Sequence, residues 1–165
     1  MQKTPKKIVI DADCLNFLLN SYIGKRILSF SRIFLPFSIY FELGQRERND
    51  LKKMNLEVIE LGRKDKEFAG DIIWKIYQDK EYKISYLKNR KIHHTGECEG
   101  AAIARKKKCD FVLKEKRANS IIKNIFKNSQ VSIINLSQFG EDVLKSNGLD
   151  NLIKDYLDEV LEEYS

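Results

Sequence analysis

The feature that most constrains this chain is a repeated alternation of very short apolar runs with longer amphipathic stretches. Ile8-Val9-Ile10 is such a run and ends in Asp11; Arg32 to Leu35 is a second, closed by Pro36. Leu56 to Leu61, Phe111 to Leu113 and Val131 to Ile134 complete the set. Runs this short are strands, because a helix needs more residues to bury a face. Between them lie helix patterns. Leu15, Phe17, Leu18 and Leu19 predict one; Tyr40, Phe41 and Leu43 predict another that runs on to Met54, with Ser38 as its N-cap. A third carries an apolar stripe of Phe68, Ile72, Ile73, Ile76 and Tyr77, from Asp65 to about Asn89 with a break near Asp79. Thr95-Gly96-Glu97 opens a fourth, Arg117 to Lys127 is a fifth, and two more begin near Ser137 and Leu149. Strands that alternate with helices imply a parallel sheet covered on both faces, an α/β architecture.

The chain has 165 residues, no internal repeat and no linker rich in Gly, Pro or Ser, which fits one domain. Residues 148–165 carry six acids and one base, a net charge of −5; set against +6 for the whole chain, the preceding residues carry +11. A basic body favours a polyanionic partner through phosphate neutralisation, although solvated lysine alone accounts for such a surplus. Leu149, Leu152, Ile153, Tyr156, Leu157, Val160, Leu161 and Tyr164 fall three and four apart, giving the acidic tail one apolar face. That face packs on the domain or docks on a partner. No apolar run approaches the roughly 18 residues a membrane span needs. The basic start, Met1 to Lys7, leads into an acid-bearing strand, so the expectation is a cytoplasmic protein without membrane contact. Cys14, Cys98 and Cys109 are too scattered for a disulfide framework, and His93, His94 and Cys98 lack a fourth zinc ligand at a recognisable spacing.

Three acids stand where an open parallel sheet binds ligands, beyond the carboxyl ends of its strands. Asp11 directly follows the first strand; there it is either a helix cap or a metal ligand. Glu42 lies amid Ile39, Tyr40, Phe41 and Leu43, a setting that costs desolvation energy unless its charge is paired or the side chain turns to solvent. Glu97 and Glu99 occupy the first turn of Gly96-Glu97-Cys98-Glu99-Gly100-Ala101-Ala102-Ile103-Ala104. The helix macrodipole favours acids there without any active site. The run of small residues, however, lets this helix press closely on a sheet and bring Glu97 to the rim beside Asp11.

Together these segments resemble the PIN-domain family of nucleases. The carriers are Ile8-Val9-Ile10-Asp11 with Leu15-Asn16-Phe17-Leu18, Leu35-Pro36 through Tyr40-Phe41-Glu42-Leu43, the Gly-Glu-x-Glu helix at Gly96, and Asp110-Phe111-Val112-Leu113-Lys114-Glu115-Lys116-Arg117. They occur in the family's order and span residues 7 to 147. The resemblance implies a three-layer α/β/α sandwich with a central parallel sheet, formed here by residues 1–147, and a helical C-terminal extension over 148–165. It implies an endoribonuclease dependent on Mg²⁺ or Mn²⁺, often the toxin of a toxin–antitoxin pair, and frequent dimerisation. RNA, an antitoxin protein and a second copy are the partners it suggests. Matched position by position, Asp11, Glu42 and Glu97 are the family's first three catalytic and metal-binding acids. Hard oxygen donors suit those cations. Asn16 falls near the site, either supporting a ligand or satisfied elsewhere.

Two departures from the family pattern bear on activity. Its fourth acid falls on Lys114, with Glu115 next to it, and its small hydroxyl residue two after the first acid is Asp13 here. Asp13, Glu99 or Glu115 is then needed to complete a metal site, or the fold has kept its shape as a catalytically inactive module that binds RNA or protein. Lys88, Arg90 and Lys91 before the Gly-Glu motif, and Lys116 and Arg117 after the next strand, are the expected RNA contacts. Arg105 to Lys108 suit a helix C-terminus and are not counted among them.

Overall fold

A computed structural model describes residues 4–78, 95–114 and 117–164, the side chains of 117 and 118 excepted. Five strands form one all-parallel sheet: β1 (Lys6–Ile10), β2 (Ser31–Pro36), β3 (Leu56–Ile59), β4 (Asp110–Val112) and β5 (Ile133–Ile134), in the order β3-β2-β1-β4-β5. β1 lies in the middle, with Val9 beside Phe34 and Ile10 beside Val112. The two-residue period of a strand divides its side chains. Ile8, Ile10, Ile33, Leu35 and Val112 enter one core; Val9, Phe34 and Phe111 enter the other.

The first core is closed by α1 (Ala12–Leu19), α2 (Tyr22–Ser29), α8 (Leu136–Ser146) and α9 (Ile153–Tyr164). The second is closed by α5 (Arg63–Tyr77), α6 (Thr95–Lys107) and α7 (Arg117–Ile125). The expected three-layer α/β/α sandwich is therefore present. Among the described residues no helix is long and apolar enough to cross a membrane.

Some local expectations fail for identifiable reasons. The helix expected at Leu15 to Leu19 is α1, but α2 lies outside the expected elements; Ser21 caps it by accepting the Gly24 N–H at 3.0 Å. Ser38 is not an N-cap. The helix α3 (Phe37–Glu42) starts one residue after Pro36 leaves the sheet, so Ser38 already lies inside it. The Ser38 Oγ is buried without a hydrogen-bond partner. That helix does not reach Met54 either: Leu43 turns extended, and Gly44 opens a separate α4 (Gln45–Leu51).

The C-terminal helix packs on this domain. Tyr156 is fully buried, and its hydroxyl donates to the Leu136 carbonyl at 2.5 Å. Its ring lies against Gly140 of α8, where any Cβ would occupy the ring's own space. This contact sets α9 against α8, and the end of α9 reaches α1, where Tyr164 meets Phe17.

Candidate functional site

Asp11 continues the ladder one residue past β1, its N–H donating to the Val112 carbonyl at 3.0 Å. Its side chain then does two things at once. Oδ1 accepts the Cys14 N–H at 2.8 Å and caps α1; Oδ2 accepts the Lys114 N–H at 3.0 Å and ties down the loop after β4. The carboxylate is thus fixed at a strand end by two elements, though its residue is only 2% exposed. Burial raises its pKa above the usual carboxylate value. The backbone N–H groups of Lys114 and Cys14 pull it down, and the negative charge of Glu97 pushes it up again. Each effect has its expected sign: desolvation and a like charge disfavour the ion, while donated hydrogen bonds favour it.

Glu97 lies in the first turn of α6, a helix that packs close to its neighbours. A Cβ added at Gly100 would stand 2.6 Å from Cζ of Phe111, and one at Gly96 would stand 2.9 Å from Oε1 of Glu42. The small residues of the motif therefore let α6 pack closely on Ile39 and Phe111, with its start beside Glu42. Glu42 itself is exposed, so the desolvation cost expected from its apolar neighbours does not arise. Those neighbours divide: Ile39 and Leu43 are buried, while Phe41 is 62% exposed. Glu99 is two residues from Glu97, about 200° around the helix, and so leaves α6 on the opposite side. Cys98, between them, is buried, and its thiol is pushed up to about 12 by burial and by the charges of Glu97 and Glu99.

Lys114 and Asp13 stand on the other side of Asp11. The Lys114 ammonium lies over the ring of Tyr164, 4.7 Å from its centroid. Asp13 is exposed and, with Asn16, Lys114, Glu162 and Tyr164, lines a cleft of about 600 Å³ between α1 and α9. Tyr164 also meets Phe17, with ring centroids 6.0 Å apart. Burial first, then the charges of Cys14, Asp11 and Asp13, hold its phenol well above the ordinary range. Asn119 donates through its side-chain nitrogen to the Lys114 carbonyl and braces the same loop from α7.

Neither Tyr164 nor Asn119 is singled out by the sequence. Tyr164 reads as one more residue of an apolar helix face, and nothing around Asn119 marks it as buried. Among the described residues, no three His, Cys, Asp or Glu side chains already stand together as a metal-ligand set. Lys88, Arg90, Lys91, Glu115 and Lys116 lie outside the described residues, as do His93 and His94; Arg117 opens α7, but its side chain lies outside them too. The uncounted basic group at the end of α6 has structural partners. Arg105 lies 3.6 Å over the ring of Phe68, and Lys106 is 3.4 Å from Asp65.

The chain matches no protein-family model, and no curated protein matches it.

Proposed function

We propose that the protein is a metal-dependent endoribonuclease of PIN type, with Asp11, Glu42 and Glu97 as its acids. The observation that carries this reading is the placement of Asp11: its carboxylate is held by two backbone N–H groups at the rim of a parallel sheet, and Glu42 stands beside the start of α6, whose first turn carries Glu97. A carboxylate fixed at a strand end, where such sheets bind ligands, suits a hard dication. The donors are oxygens, the kind that Mg²⁺ and Mn²⁺ take.

When bound, such an ion supplies Lewis acidity and a water of lowered pKa. The chain's own contribution is position. Two backbone N–H bonds hold Asp11 against rotation, so its remaining lone pairs keep one direction. Gly96 leaves room for Glu42 beside the start of α6, and the first turn of that helix carries Glu97. Lys114 and the basic body attract the phosphate strand. A toxin within a toxin–antitoxin pair, acting on RNA and held by an antitoxin or a second copy, is the setting that the family resemblance suggests.

A second reading has its own observation. Lys114 occupies the place of the family's fourth acid, and a catalytically inactive module that binds RNA or protein would keep such a lysine. Calorimetric titration with Mn²⁺ separates the two. The parent is expected to bind, and Asp11→Asn and Glu97→Gln to lose most of the affinity. Equal affinity in all three would refute the shared acid site.

A further inference from the structure

Phe37 and Phe41 are 44% and 62% exposed, unusual for rings on a short helix whose next residue, Leu43, is buried. They lie one turn apart on α3 and stack, with centroids 5.9 Å apart and planes 13° from parallel. Tyr40 meets Phe41 edge-on at 5.4 Å, which fixes the outer ring in place. The guanidinium of Arg48 stands 5.8 Å from the centroid of Phe41 and 6.0 Å from that of Tyr40. Phe37 follows the last residue of β2, so the pair rises from the same sheet rim as Asp11, and Glu42 follows Phe41 directly.

We propose that Phe37 and Phe41 are a stacking step for an unpaired base of a single-stranded RNA, with Arg48 beside it for the adjoining phosphate. Every base offers a π-face to such rings whatever its sequence, and a neighbouring cation adds to the attraction. A protein partner is the poorer fit. The rings form a narrow strip, and α4 beside them is polar, Gln45-Arg46-Glu47-Arg48-Asn49-Asp50, whereas protein interfaces favour a broader apolar patch. The step rests on the nuclease reading only for its direction, since it lies where a strand leaving Glu42 would pass.

The test uses the Asp11→Asn protein, so that RNA is not consumed, and fluorescence anisotropy with a labelled unstructured RNA of about ten nucleotides. A strand of the same length without bases is the control. Phe41→Ala and Phe41→Leu are each expected to weaken binding of the RNA by about 10-fold and to leave the baseless strand unaffected. Phe41→Leu keeps apolar surface for a protein contact but removes the π-face. Equal RNA affinity in parent and both variants overturns the step, as does an absence of RNA binding. A loss of self-association in sedimentation with RNA affinity intact also overturns it and makes the rings a protein interface. Mn²⁺-dependent cleavage is followed in parallel with Asp11 intact. Cleavage without any effect of Phe41 removes the stacking step alone; stacking without cleavage removes the nuclease reading and leaves the step standing.

Discussion

Two glycines of α6 have different neighbours, and alanine at each should have different consequences. At Gly100 the new Cβ would meet Cζ of Phe111 at 2.6 Å and Cδ1 of Ile39 at 3.2 Å. Both side chains are buried, Phe111 completely, so neither can swing aside. Overpacking of this kind costs about 1–3 kcal/mol, and the better helix propensity of alanine offsets up to about 1 kcal/mol of it. The net loss expected for Gly100→Ala is about 1–2 kcal/mol, a fall in Tm of about 2–8 °C for a chain of this length. At Gly96 the Cβ would meet Oε1 of Glu42 at 2.9 Å, the free end of a flexible side chain, and Cγ1 of Ile39 at 3.2 Å. Glu42 is exposed and can move, and the 3.2 Å contact with Ile39 is shared with Gly100, so without the Phe111 clash Gly96→Ala should cost about 1 kcal/mol less than Gly100→Ala. The movement takes a carboxylate away from the start of α6, and Mn²⁺ affinity should fall although no acid has been removed. Thermal denaturation and calorimetry on the two variants read both effects. The reasoning is refuted if Gly96→Ala is as destabilising as Gly100→Ala, or if it leaves Mn²⁺ affinity at the parent's value.

Other expectations follow from single contacts. Tyr156→Phe removes the buried hydroxyl bond to the Leu136 carbonyl and should lower stability by about 1 kcal/mol, measured by urea denaturation; an unchanged midpoint would mean that the bond contributes nothing. Lys114→Asp restores the acid that the family carries while leaving its backbone N–H on Asp11, so Mn²⁺ affinity should rise several-fold over that of Lys114→Ala; equal affinities would place the side chain away from the ion. Replacing one of Lys88, Arg90, Lys91, Lys116 or Arg117 with Ala should flatten the slope of log affinity against log salt by about 0.7 for a single-stranded RNA. A multiple variant with the parent's slope would reduce the group to a solvated surface.

What the sequence conveys about this fold follows from how local each determinant is. Ile8-Val9-Ile10 and Phe111-Val112-Leu113 are legible as strands because burial on both faces demands uninterrupted apolar residues. The close approach of α6 is legible because Gly96, Gly100 and the alanines have no other common purpose. Asp11 is legible as a rim acid, and its reading as a helix cap holds: one oxygen caps α1 while the other accepts the Lys114 N–H. α2 is less legible, since Tyr22 to Ser29 holds only Ile23, Ile27 and Leu28 as buried apolar residues and its start rests on the Ser21 cap. The Ser38 expectation fails because α3 starts directly after Pro36, at Phe37, one residue before the serine that looks like its cap. Exposure of Phe37 and Phe41, and the approach of Tyr164 to Lys114, depend on where α3 and α9 lie in space. Tyr164 is brought there through Tyr156 and Gly140, contacts between residues 16 apart on different helices, and no local pattern records them.

Cleavage of a single-stranded RNA by the purified chain, followed on denaturing gels with Mn²⁺ or with a chelator, tests the central claim most directly. The account predicts cuts within the strand that need the metal, are lost with the chelator and are absent for Asp11→Asn, while the variant stays folded by circular dichroism. An RNA left intact by the parent at saturating Mn²⁺, or one cut equally well by Asp11→Asn, would contradict it.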